Sequence, residues 1–319
     1  MKGILWKISV LTLALIGCYY FFMGQLTQGF VNENYSKFTH QSPSLIIGLS
    51  RAHNGIDPSV LDSVLDGTPY EGGFLNFAFE KSQSPYGKIY FEAIKKKIPK
   101  QTTKGVYILT VSPGSFSAPV RITSVEQIIA FDQNSLLGKI GQLNKNPNYE
   151  YIRKGYGGSL YKGFLPNNPQ ITTVFHDNGW EEFKLFKGSY HITEEDIANW
   201  TSQTIGGYRL IMKEHPEKAS TYRMGSFQQI ISFLKQHGQV FVVRMPIDPL
   251  VLGLENKLWK EFNTEMTLIS AKKDVPYFDF SDATQYKTYD GSHLSSIYAK
   301  EFSERLALEI QRYYRTPSF

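Results

Sequence analysis

Between Ser44 and Val111 the chain alternates short apolar runs with amphipathic stretches, and this rhythm restricts the fold more than any other feature. Ser44-Leu-Ile-Ile-Gly-Leu49 reads as a short buried strand ending at Ser50. Asp57-Pro58 opens a helix, with Asp57 as N-cap and Pro58 in the first turn, and Leu61, Val64 and Leu65 fall on one face. Gly72-Gly73 breaks the chain before a second strand, Phe74 to Phe79. Ser84-Pro85 caps another helix with Ile89, Ala93 and Ile94 inward, and a third strand runs from Gly105 to Val111. Strand, helix, strand, helix, strand in such short compass predicts an α/β fold with a parallel sheet covered by helices.

Residues 113–222 interrupt the rhythm. They are rich in Gly, Asn, Pro, Tyr and Phe, as in Tyr156-Gly157-Gly158, Pro166-Asn167-Asn168-Pro169 and Asn178-Gly179-Trp180, and read as a large insertion or cap over the sheet. The pattern then resumes with a helix over Ser226–His237, a strand over Gln239–Met245, a helix over Asn256–Lys273 and a last strand over Val275–Phe280. Ser295 or Ser296 caps a closing helix that carries Ile297, Phe302, Leu306 and Ile310. No internal repeat or low-complexity tract is evident.

The N-terminus bears on location. Lys2 and Lys7 precede Ile8–Met23, an uncharged and mostly apolar stretch which, with Ile4–Trp6, approaches the roughly 20 residues that span a bilayer. Positive charge before an apolar segment orients the downstream chain outward. Residues 1–24 are therefore expected to be an uncleaved signal anchor in the cytoplasmic membrane, with residues 25–43 a polar linker and residues 44–319 an extracytoplasmic body. A competing route is lipidation at Cys18, because Leu15-Ile16-Gly17-Cys18 fits a lipobox. Against it, Tyr19–Met23 continues the apolar run where a lipoprotein turns polar.

Among 319 residues, 41% are hydrophobic, enough for a packed core in one large domain or two small ones. Aromatic residues, at 14%, suggest a binding surface in the middle third, although aromatics more often fill a core. With 34 basic and 29 acidic residues, the net charge of +5 is too small and dispersed to argue for nucleic acid. The densest basic run, Lys95-Lys96-Lys97, reads as the solvated C-terminal end of a helix. A single cysteine excludes an intramolecular disulfide and thiolate metal clusters. His176-Asp177, His191 and His215 lack metal-ligand spacing, so neither a metal nor a cofactor is assigned.

Two short motifs carry chemistry. Asp290-Gly291-Ser292-His293-Leu294 places a carboxylate and an imidazole on one loop, and Gly48-Leu49-Ser50-Arg51 places a hydroxyl just after the first strand. Taken singly, Ser50 is a polar turn residue, Asp290 a loop cap and His293 a structural hydrogen-bonder. In a doubly wound sheet, ligands bind beyond the carboxyl ends of the strands. Ser50 stands at that edge, and the loop before the last helix can reach it, so the three supply nucleophile, base and orienting acid. Arg51 and His53 flank the nucleophile and suit either an anionic acyl acceptor or surface salt bridges.

Gly48-Leu49-Ser50-Arg51, the second strand with Asn76, and Asp290–Leu294 resemble the SGNH/GDSL hydrolase superfamily. The likeness is closer to its membrane-anchored extracytoplasmic branch. That branch includes D-alanyl-transfer and alginate-acetylation proteins of bacterial envelopes, which work beside membrane-bound O-acyltransferases. The resemblance covers roughly residues 44–112 and 226–313. It implies a flavodoxin-like three-layer α/β/α sandwich, mainly parallel in its sheet, with Ser50 as nucleophile, His293 as base and Asp290 orienting His293.

Two departures stand out. The usual Gly-Asp-Ser-Leu block is Gly-Leu-Ser-Arg, which is common in the anchored branch. The Gly-x-Asn-Asp block after the third strand is replaced by Val111-Ser112-Pro113-Gly114. Its asparagine normally donates to the oxyanion, and loss of one such donor costs about 10²–10³ in rate. Substitutes are the Ser50 backbone N–H, the loop after Phe79 with Lys81 and Ser82, and Asn76, which within a strand can equally point into the core.

The resemblance implies a membrane-tethered serine esterase or O-acyltransferase acting on a cell-envelope glycan. Its partners would be an envelope polysaccharide or acylated glycan and a membrane-bound O-acyltransferase. The alternatives are a non-catalytic glycan-binding or accessory partner of such an acyltransferase and, more distantly, a phospholipase-like activity.

Overall fold

The computed structural model describes residues 2–80, 84–165, 172–187 and 190–315. Among them, β1 (Ser44–Ile47), β2 (Phe74–Asn76), β3 (Gly105–Thr110), β4 (Gly238–Arg244) and β5 (Tyr277–Asp279) form a parallel sheet. Their spatial order is β2-β1-β3-β4-β5. This is the doubly wound order of flavodoxin-like folds, whose switch point lies between β1 and β3. β1 and β3 are buried along their whole length, which is why they read as nearly unbroken apolar runs.

Helix α1 (Lys2–Leu26) precedes the sheet, α2 (Ser50–Gly55) and α3 (Pro58–Leu65) follow β1, and α4 (Lys88–Lys97) follows β2. Helix α5 (Glu194–Glu214) belongs to the segment inserted after β3, and α6 (Thr221–Leu234) leads into β4. Then α7 (Pro249–Leu258) and α8 (Phe262–Lys273) connect β4 to β5, and α9 (Ser296–Arg315) follows β5. Alternate strand residues point to opposite faces. Leu45, Ile47, Leu109 and Val242 meet Ile94 of α4, Ile230 of α6 and Met266 of α8. Ile46, Ile108, Phe241 and Val243 meet Ala52 of α2, Leu61 of α3 and Phe302 of α9. The expected three-layer α/β/α sandwich is the fold.

The inserted segment is pinned at its base. Ser117–Pro119 pairs antiparallel with Glu217–Ala219. The buried pair Arg223–Asp132, at 2.8 Å, ties the inserted helix Val125–Gln133 to α6. Most of α5 lies at the surface, and none of its described side chains is buried.

Several elements differ from the sequence reading. β2 stops at Asn76 rather than Phe79, because Asn76 Oδ1 accepts from the Ala78 N–H and turns the chain out of extended geometry. Helix α4 starts at Lys88 behind Gly87, while Ser84 Oγ donates to the Ser115 carbonyl. The single helix expected over Asn256–Lys273 is two, α7 and α8, separated at Trp259–Glu261. Asp248-Pro249 starts α7 with the same Asp N-cap and Pro signal that starts α3.

Residues 25–43 are packed against the body rather than forming a free linker. Val31, Tyr35 and Phe38 are buried in the same core as Leu45, and Phe38 lies against the rings of Phe79 and Tyr151. Full burial of each such side chain favours the packed state by about 1.5–3 kcal/mol. The packing starts inside α1, whose Met23 and Leu26 are buried while residues 2–21 are exposed. Phe21 and Phe22 contact Phe164, with ring centroids at 5.9 and 5.1 Å. Helix α1 is long and apolar enough to cross a membrane, and the apolar window that meets this test is not buried in the fold.

The basic run at the end of α4 is only partly solvated. Lys97 is buried, its Nζ donating to the His40 carbonyl and, at 2.8 Å, to Asn144 Oδ1. Lys37 is buried likewise and donates to the Ala78 carbonyl. Burial lowers both ammonium groups to about 7. Between pH 7 and about 10 the unfolded chain therefore holds protons that the native chain has released, and stability rises with pH by up to about 1.4 kcal/mol per unit per lysine. The urea midpoint is expected to rise between about pH 7 and about pH 9.5, and Lys37→Met to flatten that rise. A midpoint that falls across this window would contradict the neutral-lysine assignment.

Candidate active site

Ser50 is the first residue of α2, separated from the end of β1 by Gly48 and Leu49. The approach is close at that point. A Cβ on Gly48 would lie 1.8 Å from Thr110 Oγ1, so the position before Leu49-Ser50 admits only glycine without displacing β3. The second half of the site is a tight turn before α9. Gly291 sits at φ +83°, and Asp290 Oδ1 accepts from the N–H groups of Ser292 and His293 at 2.9 and 2.8 Å. Tyr289 N–H donates to the His293 carbonyl, and Phe183 stacks on Tyr289 with ring centroids 3.8 Å apart.

These two pieces meet. His293 Nε2 lies 2.8 Å from Ser50 Oγ, and His293 Nδ1 lies 2.7 Å from Asp290 Oδ2. Burial opposes ionisation of Asp290, but His293 and the turn N–H groups hold its carboxyl below the usual range. The carboxylate therefore draws the ring proton to Nδ1 and leaves Nε2 to accept from the serine hydroxyl. All three side chains are part-buried and reachable from solvent.

Arg51 is held in an ion-pair network. Its Nη2 donates to Glu255 Oε1 at 2.7 Å and to Tyr208 Oη at 2.9 Å, and its Nε donates to Ser292 Oγ at 3.1 Å. The other Glu255 oxygen accepts from Arg244 Nη2 at 3.2 Å. Burial works against the Glu255 carboxylate, yet the two guanidinium groups hold its pKa below normal. Of the two roles open to Arg51, the geometry gives the salt bridge.

Three other sequence candidates fall outside the triad. Asn76 is fully buried, with Nδ2 donating to the carbonyls of Ala52 and Ile56 at 2.8 and 3.0 Å, so it props α2 from beneath and is not an oxyanion donor. Its strand parity explains this, because Asn76 is in register with Ile46, whose side chain faces the α2 layer. His53 is buried on the same side, 3.6 Å from Glu181, and burial pushes its pKa well down, so it neither lines the site nor carries charge. Ser82, with Lys81, lies outside the described residues. Near Ser50, the N–H groups of Ser50 and Arg51 precede the first bonds of α2.

A cavity of about 220 Å³ opens beside Ser50. The segment Val111–Gly114, which replaces the expected asparagine block, forms one wall, and the inserted Tyr208, Ile211 and Met212 form another. Sequence reasoning missed Tyr208, Glu255 and Arg244. Glu255 was within reach, because the Asp248-Pro249 start puts it on the same α7 face as Val251 and Leu254, where a lone carboxylate implies a buried cation.

No protein-family model matches the chain, and no curated protein is similar to it. Several solved structures are similar. The inhibitor-bound aryl esterase of M. smegmatis is 10% identical, covers 84% of this chain and 97% of its own, and has a TM-score of 0.37. A lipase/acylhydrolase from Enterococcus faecalis is 10% identical over 84% and 95% of the two chains at TM-score 0.36. A carbohydrate acetylesterase from Sinorhizobium meliloti is 10% identical over 85% and 98% at TM-score 0.39. The functional reading rests on the chain's own geometry.

Proposed function

We propose that the chain is a membrane-tethered SGNH-like serine esterase or O-acyltransferase that acts on a cell-envelope glycan through an acyl-enzyme on Ser50. One observation carries the reading: the unbroken hydrogen-bonded run Ser50 Oγ, His293 Nε2, His293 Nδ1, Asp290 Oδ2, at 2.8 and 2.7 Å. As Ser50 Oγ bonds to the acyl carbon, its proton passes to His293 Nε2, and Asp290 stabilises the imidazolium. The same proton then goes to the leaving oxygen as the ester C–O bond breaks, releasing an alcohol and leaving an ester on Ser50. Water in an esterase, or a sugar hydroxyl in a transferase, gives its proton to Nε2 and its oxygen to the acyl carbon. The Ser50 ester bond breaks, and Oγ recovers the proton. The N–H groups at the start of α2 are the donors for the negative charge on the carbonyl oxygen.

Helix α1 supports tethering, with an extracytoplasmic body, and the envelope-glycan substrate comes from the resemblance of the Ser50 and Asp290–His293 motifs. Partnership with a membrane-bound O-acyltransferase belongs to the same reading, and lipidation at Cys18 is the other route to the membrane. The detergent-extracted full chain is expected to be labelled by a fluorophosphonate and to hydrolyse p-nitrophenyl acetate, and Ser50→Ala to abolish both. Labelling that survives Ser50→Ala removes Ser50 as nucleophile. The intact mass of the labelled protein separates retention of α1 from cleavage before Cys18.

The second reading is a non-catalytic glycan-binding or accessory partner of such an acyltransferase. It is favoured by the engagement of the Asn76 amide with the α2 carbonyls, which leaves the oxyanion without that side-chain donor. An extract with no turnover, together with full function of a Ser50→Ala, Asp290→Asn double variant in a deletion strain, would select it.

A further inference from the structure

The cavity beside Ser50 has a chemistry of its own. Most of its polar wall groups are already engaged: Arg51 is bonded to Glu255, Tyr208 and Ser292, Ser112 to Ser115, and Ser117 to Glu217. The Arg51 charge is balanced by Glu255 at 2.7 Å, and the other cation of the lining, Lys218, is exposed and keeps its hydration there. The larger part of the lining surface is apolar, with Val111, Pro113, Ile211, Met212, Met245 and Trp259 among the residues that supply it. A polar or charged group placed there would give up hydration for partners already engaged.

Size narrows the occupant further. An apolar cavity of about 150 Å³ accepts a six-carbon ring. On that scale the 220 Å³ here takes roughly six to nine carbon atoms. An acetyl group would leave most of it empty, and a long-chain fatty acyl group would overrun it.

Resting on the reading of Ser50 as an acyl-accepting nucleophile, we infer that this cavity binds the acyl part of the substrate, an uncharged, apolar, medium-length chain of about six to eight carbons. The carbonyl sits at Ser50, and the tail lies along Val111, Ile211 and Met212 toward Trp259. Two of the tail contacts come from α5, so the inserted segment selects the acyl group while the sheet edge performs the chemistry.

The test is a p-nitrophenyl ester series from acetate to palmitate with the detergent-solubilised full chain. Each buried methylene is worth about fourfold in kcat/KM. The hexanoate or octanoate ester is therefore expected to exceed acetate by at least about tenfold, with a decline at dodecanoate and beyond. Met212→Trp, which puts a larger side chain against the same space, is expected to lower the octanoate-to-acetate ratio about tenfold, and Ile211→Trp to move it the same way. An active enzyme that prefers acetate, or a ratio that neither variant moves, overturns the acyl cavity while leaving Ser50 in place as nucleophile. No turnover across the series, together with no fluorophosphonate labelling of Ser50, overturns both.

Discussion

Replacing Asp290 by asparagine is expected to lower kcat on p-nitrophenyl esters by about 10⁴, the scale such a change costs in a serine triad, with KM little altered. The turn survives the change. Asn Oδ1 still accepts from the N–H groups of Ser292 and His293, which lie 2.9 and 2.8 Å from the present Oδ1. The difference falls on the atom facing His293 Nδ1, where a carboxylate oxygen now stands at 2.7 Å. An amide NH₂ there makes Nδ1 an acceptor and moves the ring proton to Nε2, against the Ser50 hydroxyl it must deprotonate. A loss smaller than tenfold, with the unfolding midpoint unchanged, would remove Asp290 from the reaction.

Glu255→Ala is the substitution expected to cost most stability. Glu255 and Arg244 are 3% and 2% exposed in their side chains, and Arg51 is 12% exposed. Removing the carboxylate leaves two guanidinium groups facing each other without a counter-charge, which costs about 3–5 kcal/mol. Against a total stability of roughly 5–15 kcal/mol for a folded domain, that is a large share. Denaturant titration reads it directly. Glu255→Gln, which keeps the volume and one acceptor, should cost less, and a double change of Arg51 and Glu255 to Met and Leu should recover part of the loss. A cost below about 1 kcal/mol for Glu255→Ala would show that water reaches the pair and screens it.

The sheet was legible because its inner strands β1 and β3 are buried on both faces and must be apolar, as Leu45–Ile47 and Val106–Leu109 are. The two chemical motifs were legible because each is local: a turn that admits Asp-Gly-x-His, and a hydroxyl just past a buried strand, at the start of the helix that follows it. The rest depends on contacts between distant elements. Arg51, Tyr208, Glu255 and Ser292 come from four separate segments, and no local pattern announces that they meet. For Asn76 the sequence left two readings open, oxyanion donor or core, because a polar residue in a strand marks a site only if its parity faces the open edge. Residues 25–43 look polar because only Val31, Tyr35 and Phe38 of that stretch reach the core with their apolar surfaces outside α1, and three spaced apolar residues are easily passed over.

That packed stretch sets how far the active site can travel. As a free tether, its nineteen residues, counted from 25 to 43, would have let the body roam about 24 Å from its attachment point. With Met23 and Leu26 already inside the fold, no such leash exists. If α1 lies in a bilayer, Ser50 stands at a fixed height and orientation above the lipid, and the membrane plane becomes part of the enzyme's geometry. A protein so held would not range widely for its substrate; an ester bond would be attacked only when brought to that height.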